Sequence, residues 1–231
     1  MSSDPGPEQH KFTILGSTID VIVGCTLYLV VPVWLHSVIG TAGTLELDQW
    51  AVPFLMTAML LTLYAVHRGE SFRLEVCPTL ARYFGFMVVW VPIFMILYPY
   101  VVRLVGSDLS PQEALQYFAR RPEGGSLWLS VAMVCIAAPL AEEVLFRGFL
   151  FRLVSSLASP AAALVLTSVL FGLVHEPSVR IPVTFLGLLF GYLRLRSGGV
   201  GASILAHMVH NSLTVAAFFA WPELLEMVYE K

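Results

Sequence analysis

Apolar residues are grouped along this chain into long runs that are separated by short polar stretches. A helix that crosses a bilayer needs about 20 mostly apolar residues, and most of the runs approach that length. The pattern predicts an all-α fold, a polytopic transmembrane helix bundle of about seven spans. The fifth and sixth runs are short and can be tilted, re-entrant or merged around Pro177 and Pro182, so six to eight spans stay open. The runs lie near residues 14–39, 50–67, 83–105, 127–153, 161–176, 181–194 and 200–221.

Composition strengthens the membrane interpretation and excludes a soluble domain. Hydrophobic residues are 57% of the chain and charged residues 13%, whereas soluble globular domains carry about 25% charged residues. The mean hydropathy is +0.78. A net charge of −3 without a basic stripe indicates no nucleic-acid partner. The cysteines Cys25, Cys77 and Cys135 have neither disulfide nor metal-site spacing.

The sequence predicts N-terminal spans with a surface loop over 1–126, a transmembrane core over 127–221 that carries the candidate site residues described below, and a short polar tail over 222–231. The polar N-terminus enters the first apolar run at Lys11 without a small-residue cleavage site, which favours an uncleaved first span. Basic residues such as Arg68 concentrate in the loops after the second, fourth and sixth spans. This bias favours a cytoplasmic N-terminus. The small size of the chain suits a prokaryotic cell membrane. Membrane lipid is an expected partner.

The surface loop contains a helix-start pattern at Ser110-Pro111-Gln112-Glu113. Serine as the capping residue, proline at the first helical position and glutamate three residues after the serine are typical of a helix N-terminus. We expect a short surface helix here, which serves as a connector or shapes access to a site.

The fourth span carries charged residues inside an apolar run, namely Glu142, Glu143 and Arg147. A charge at the bilayer centre costs about 2.5–3.5 kcal/mol on insertion scales, so such residues usually face a protein interior or a wet cavity. Glu143 precedes Arg147 by four residues, which favours an ion pair. Glu142 lies about 140° from Arg147 around the helix and is left free to act as a general base. A purely structural ion pair is the alternative, but it leaves Glu142 unexplained.

Two later spans supply neutral polar residues at helical spacing. His175 follows Phe171 by four residues, although a lone histidine near a helix end is more often a satisfied polar residue than a catalyst. His207 and Asn211 are also four apart and project from one face. They can stabilise an oxyanion, or they can form ordinary interhelical hydrogen bonds.

Together these three elements point to hydrolysis by an activated water molecule. An acid, a histidine and a His/Asn pair lie on three separate spans in apolar surroundings. No serine or cysteine stands beside a histidine in an elbow-like motif. The zincin pattern is also absent, because His175-Glu176 is followed at position 179 by valine.

At these residues the chain resembles the CAAX-protease and bacteriocin-processing (CPBP, or ABI) family of intramembrane proteases. Its pattern is a Glu-Glu-x-x-x-Arg motif, then Phe-x-x-x-His, then His-x-x-x-Asn, all complete here and in order. In this chain the motifs are Glu142 to Arg147, Phe171 to His175, and His207 to Asn211. The resemblance covers about residues 127–221, and the first three spans are not diagnostic.

The resemblance implies an endopeptidase with catalytic residues Glu142, His175, His207 and Asn211. Glu142 with His175 would activate the attacking water, while His207 and Asn211 would stabilise the tetrahedral oxyanion. The partner would be a peptide or protein substrate in or at the membrane.

The resemblance also implies supporting roles for Glu143, Arg147 and Phe171. The supporting residues would hold the site without taking part in the proton transfers.

A metal-dependent mechanism stays open as an alternative. The family was named as metalloproteases, and a zinc bound by Glu142, His175 and His207 is the corresponding hypothesis. The favoured interpretation needs no cofactor, because Asn is a poor zinc ligand and no zincin-like His pair is present.

Two other functions compete with proteolysis. A membrane immunity or scaffold protein could keep this fold without cleaving anything, although the intact set of polar residues argues against it. Buried Glu and His also mark proton paths in transporters, but no convincing repeat relates the two halves of the chain. The substrate stays open between a prenylated CAAX protein, a peptide precursor, a signal-peptide remnant and a C-terminal sorting tail.

Overall fold

The computed structural model describes residues 7–39, 47–104, 109, 112–120 and 125–224, and these residues form helices and their connections with no strand. The α-helices are α1 (Pro7–Cys25), α2 (Val31–Ile39), α3 (Leu47–His67), α4 (Val76–Val91), α5 (Tyr98–Leu104), α6 (Glu113–Ala119), α7 (Gly125–Ala132), α8 (Ala138–Glu143), α9 (Phe151–Leu157), α10 (Pro160–Leu173), α11 (Arg180–Ser197) and α12 (Gly201–Ala220). Wider π-helical turns interrupt them at Thr26–Val30, Pro92–Leu97, Met133–Ala137 and Val144–Leu150, and Pro177–Val179 is a 3-10 turn.

Six helical segments within the described ranges are long and apolar enough to cross a membrane, and the shorter apolar helix α10 accompanies them. The protein is therefore an integral membrane protein, and the predicted all-α polytopic bundle is confirmed. We number the spans in chain order and count α10 as the fifth. The six long spans are Thr13–Val38, Gln49–His67, Val76–Leu104, Leu127–Leu157, Pro177–Ser197 and Gly201–Ala220.

Some span boundaries differ from those predicted. The third span begins at Val76 rather than at residue 83, because a long basic side chain such as that of Arg82 can extend along a helix toward water without ending it. The fifth span begins at Pro160, where the side chain of Ser159 accepts a hydrogen bond from the Ala162 amide at 3.1 Å. It ends at Leu173, so His175 lies in the following turn and not inside the span.

The connections after the second, fourth and sixth spans lie at one end of the bundle, as predicted. The Val200 amide donates to the Ser71 carbonyl at 2.8 Å, and Arg152 pairs with Glu70 at 3.3 Å. A side chain on Gly201 would lie 2.5 Å from the Phe72 carbonyl oxygen, so this close approach requires glycine. The cytoplasmic location of this end stays a prediction.

The fourth span forms the centre of the bundle. In its most apolar window 56% of the residues are buried inside the protein, against 11% for the third span, which mainly faces outward. Its Ala141, Val144 and Phe149 belong to the same buried hydrophobic cluster as Phe171 of the fifth span and Phe190 of the sixth. Any polar group on the buried face of this span is consequently shielded from lipid.

The surface loop is only partly described. Ser110 and Pro111 of the predicted helix start, and residues 225–231 of the polar tail, lie outside the described residues. Helix α6 begins at Glu113, and its Phe118 side chain is fully buried in a small cluster with Cys135 and Val215. The short helix therefore packs onto the fourth and seventh spans.

A buried aspartate joins three spans near the end of the bundle that holds these connections. Asp20 is 2% exposed and accepts hydrogen bonds from the Tyr64 hydroxyl at 2.9 Å and from Arg152 at 3.0 Å. Arg68 pairs with the same carboxylate. The first, second and fourth spans are thus tied together by charge-assisted hydrogen bonds, which are stronger than neutral ones.

The substitution Asp20→Asn should weaken this connection, because it removes the charge that Arg68 and Arg152 share. We expect the free energy of unfolding to fall by about 2 kcal/mol, between the values for exposed and buried pairs. Thermal unfolding in detergent measures the change. The matched control is Glu75→Gln, an exposed carboxylate next to α4, and equal stability of the two variants would contradict the structural role of Asp20.

Candidate active site

The fourth span brings two adjacent glutamates and an arginine to the centre of the bundle. Glu142 and Glu143 end α8, and the π-helical turn Val144–Leu150 carries Arg147. Another π-helical turn ends at Ala137, two residues before Pro139. Proline has no backbone donor, so it interrupts the regular hydrogen bonding. Such π-helical turns inside α-helices are frequent at functional sites.

Glu143 and Arg147 form an ion pair that is closed to solvent. Arg147 Nη1 lies 3.1 Å from Glu143 Oε1, and both side chains are 0% exposed. Arg147 Nη2 donates to the Gly187 carbonyl at 3.0 Å. The guanidinium carbon lies 4.3 Å from the centroid of the Phe171 ring, a cation–π distance. The pair predicted from the four-residue spacing is therefore present, with Phe171 packed against it.

His207 on the seventh span contacts both glutamates. Its Nδ1 lies 3.0 Å from Glu143 Oε1, and its Nε2 lies 3.9 Å from Glu142 Oε2. Its ring stacks on Phe190 with 4.7 Å between centroids. Because Glu143 Oε1 also accepts from Arg147, that oxygen acts as an acceptor, and the hydrogen between it and His207 belongs on Nδ1.

Glu142 occupies a different environment from its neighbour. Its side chain is 14% exposed, and its Oε1 accepts a hydrogen bond from the Tyr28 hydroxyl at 3.0 Å. Sequence reasoning did not identify Tyr28, which lies in the first span and belongs to none of the three motifs. The available signal was weak: a buried tyrosine hydroxyl usually has a hydrogen-bond partner, but the sequence does not say which.

His175 lies in the turn after α10, apart from the glutamates. Its Nδ1 is 2.6 Å from the Phe171 carbonyl oxygen, and its ring packs edge-on against the Phe171 ring at 4.8 Å. Since a carbonyl only accepts, Nδ1 carries the hydrogen and Nε2 of a neutral ring is an acceptor. Arg180 Nε holds the turn by donating to the His175 carbonyl at 3.1 Å. His175 forms no ion pair with Glu142 or Glu143, so any joint action requires a bridging molecule.

Asn211 faces the fourth span, one turn after His207. Its amide nitrogen donates to the Val134 carbonyl at 2.8 Å, which leaves the second amide hydrogen for another acceptor. His210 points elsewhere and lies 3.2 Å from the Tyr83 hydroxyl. The structure thus brings Glu142, Glu143 and His207 into one cluster. Asn211 lies one turn after His207 on the same face of α12.

The zinc alternative is not supported by this arrangement. Among the residues that the structure describes, no group of three or more His, Cys, Asp or Glu side chains converges as a metal ion requires. The described side chains therefore do not support the prediction of a metalloprotease.

A mainly apolar cavity of about 610 Å³ lies between the third span and the sixth and seventh spans, and its lining residues do not include Glu142, His207 or Asn211. Val179, four residues after His175, and His210, next to Asn211, are among its lining residues. Trp90 closes part of it and donates from Nε1 to the Pro182 carbonyl at 3.3 Å. The cavity is large enough for apolar side chains of a ligand.

Comparisons with known proteins agree with the motifs. Residues 124–213 match the family described as "Type II CAAX prenyl endopeptidase Rce1-like". A protein of Bacillus subtilis (strain 168), named "Putative membrane peptidase YdiL", is 28% identical over 88 residues, which are 38% of this chain and 36% of that protein. No solved structure matches the chain. The predicted relationship to the CAAX-protease family is confirmed by these matches, which lie in one part of the chain.

The two adjacent glutamates should differ in their effect on stability. Glu143→Gln leaves Arg147 buried without its counter-charge, and we expect the free energy of unfolding to fall by about 3 kcal/mol. Glu142→Gln changes a partly exposed carboxylate and should cost about 1 kcal/mol or less. Thermal unfolding of the two variants in one detergent measures the difference, and equal losses would show that the buried pair has no special structural weight.

Gly172 should tolerate no side chain, because α10 and α11 meet at this position. A methyl group there would collide with Thr184 Oγ1 and lie 2.7 Å from the Arg180 carbonyl oxygen. We expect Gly172→Ala to lower the free energy of unfolding by about 1–3 kcal/mol, as overpacking does. Gly85→Ala is the matched control, because a methyl group meets nothing within 4 Å there. A Gly172→Ala protein as stable as that control would contradict the close packing.

Proposed function

We propose that the protein is an intramembrane endopeptidase whose water nucleophile is activated by Glu142. The match of residues 124–213 to the family of Rce1-like type II CAAX prenyl endopeptidases supports the peptidase activity. One observation carries the proposal: Glu142 is a partly accessible carboxylate, and its Oε2 faces Nε2 of a histidine at 3.9 Å within the membrane spans. A general base and a hydrogen-bond donor for an oxyanion are the two groups that peptide hydrolysis by water requires.

Glu142 is the general base in this proposal. The Tyr28 hydroxyl occupies its Oε1, so Oε2 takes the proton from water. His175 accepts a hydrogen bond from the same water at Nε2, because its Nδ1 is bound to the Phe171 carbonyl. Water is the bridge between these groups, which make no direct contact.

His207 and Asn211 stabilise the oxyanion. His207 donates from Nε2 only if that nitrogen carries a hydrogen, and its Nδ1 hydrogen already points to Glu143. In the proposed reaction the ring carries a hydrogen on each nitrogen, so that Nδ1 donates to Glu143 while Nε2 donates to the oxyanion. Two carboxylates, one guanidinium and one imidazolium then balance in charge, which reduces the cost of burying them. Asn211 contributes the amide hydrogen that Val134 does not use.

The reaction balances with these groups alone. Glu142 takes one proton from water, and the hydroxide forms a bond to the scissile carbonyl carbon. The carbonyl oxygen becomes an anion that accepts hydrogen bonds from His207 and Asn211. The carbon–nitrogen bond then breaks, and Glu142 returns the proton to the leaving amine, so one water molecule is consumed per bond.

The substrate is a peptide segment with an unwound backbone at the scissile bond. In a helix the carbonyl is already hydrogen-bonded and is shielded by side chains, so hydroxide cannot reach it. The cavity between the third, sixth and seventh spans is lined mainly by apolar side chains, such as Trp90 and Phe94, and it suits an apolar side chain of the substrate. The family match favours a CAAX-type C-terminal segment.

Glu142→Gln should abolish the activity, because an amide cannot accept the proton from water. We expect cleavage by the purified full chain to fall at least about 100-fold, the usual contribution of a general base. The assay uses peptides with and without a prenylated C-terminus, read by mass spectrometry. Glu176→Gln is the matched control, because Glu176 adjoins His175 but has no role in the proposed site, and it should stay within a factor of two of wild type.

Other outcomes lead to other functions. Equal cleavage by wild type and Glu142→Gln would remove Glu142 from catalysis. Activity that requires stoichiometric zinc and stops with a chelator would favour a metallopeptidase. Cleavage of no peptide by the wild type, with biological activity intact in Glu142→Gln, would favour a non-catalytic membrane protein.

A further inference from the structure

The first span packs closely against the fourth span at Gly24. A side chain on Gly24 would lie 2.9 Å from carbon atoms of both Leu145 and Phe149, so any larger residue there would displace these two side chains. The π-helical turn Thr26–Val30 follows at once. One helical turn after Gly24, the chain carries Tyr28, whose hydroxyl reaches Glu142 Oε1 at 3.0 Å.

The Tyr28 ring is held from the side as well as at its hydroxyl. Phe54 of the second span packs edge-on against it with 6.2 Å between ring centroids. Phe54 in turn contacts Trp50, which stacks on His36 of the first span at 4.1 Å. The hydroxyl is therefore aimed at Glu142 by two spans that contribute no other residue to the site described above.

We propose that Tyr28 is a positioning residue for the reaction, which holds Glu142 by one carboxylate oxygen and leaves the other oxygen for water. The inference rests on the proposed function and extends it, because it makes the first span part of the catalytic unit. Tyr28 touches neither water nor substrate in this proposal and acts only through Glu142.

The groups around Glu142 explain why one fixed hydrogen bond matters. His207 and Glu143 lie on one side, with Arg147 behind them. Without Tyr28, the Glu142 carboxylate is free to rotate and to accept a direct hydrogen bond from His207. His207 would then no longer be available as a donor to the oxyanion. With Tyr28 in place, the carboxylate stays at 3.9 Å from His207 Nε2 and remains available for water.

The test is Tyr28→Phe, which removes one hydroxyl and keeps the ring. The first measurement is the infrared carboxylate stretch of the full-length protein, compared in the wild-type and Glu142→Gln backgrounds. We expect a band change on Tyr28→Phe that is absent when residue 142 is glutamine. The second measurement is turnover, where we expect kcat to fall about tenfold, as for loss of one hydrogen bond to a charged group, and KM to change less than twofold.

Tyr64→Phe is the matched control, because the Tyr64 hydroxyl donates to the buried carboxylate of Asp20 at 2.9 Å. Its infrared change should persist in the Glu142→Gln background, and its kcat should stay within a factor of two of wild type. If Tyr28→Phe does not fold, 3-fluorotyrosine at position 28 replaces it. This stronger donor should shift the Glu142 band in the opposite direction.

Two results would overturn the role of Tyr28: an unchanged kcat, or a lower kcat without the change in the Glu142 band. The last of these would make Tyr28 a structural residue only. Failure of the proposed function itself is recognised separately, since cleavage would then be absent from the wild type or equal in Glu142→Gln, whatever the infrared spectra show.

Discussion

The buried ion pair between Glu143 and Arg147 is the interaction on which the rest of the site depends. Both side chains are 0% exposed, and removing charged groups from water is costly unless every charge is paired and hydrogen-bonded. Arg147 meets part of this requirement through Glu143, the Gly187 carbonyl and the face of Phe171, while Arg147 Nε and Glu143 Oε2 have no hydrogen-bond partner among the described residues. These contacts link the fourth, fifth and sixth spans at one point.

The same pair determines how His207 can act. Glu143 Oε1 receives hydrogen bonds from Arg147 and His207, so the imidazole ring is fixed in orientation and its Nε2 points toward Glu142. Two neighbouring glutamates thereby have different tasks: one is shielded and holds the arrangement, while the other keeps partial access to solvent. Near one end of the bundle, Asp20 has the same structural task as Glu143: it is a shielded carboxylate that pairs with arginine, here with Arg68 and Arg152. The Asp20 cluster contains no comparably accessible acid.

Local spacing made much of this arrangement predictable. The apolar runs predicted the spans, and the four-residue interval between Glu143 and Arg147 predicted their ion pair. Contacts between distant parts of the chain were not predictable, because no local rule relates Tyr28 to Glu142 or His207 to Glu143. The position of His175 also differed, since the helix ends at Leu173 and the following turn directs the ring to the Phe171 carbonyl. Whether the four predicted catalytic residues perform catalysis stays a prediction that geometry alone does not test.

The most direct test of the central claim is hydrolysis in water labelled with ¹⁸O, using the wild-type protein in proteoliposomes after exhaustive metal chelation. The proposal predicts undiminished cleavage of a CAAX-type peptide, with one ¹⁸O atom in the new C-terminal carboxyl group of the product. Cleavage that stops on chelation and returns with added zinc would contradict it, and so would the absence of cleavage of any membrane-embedded peptide.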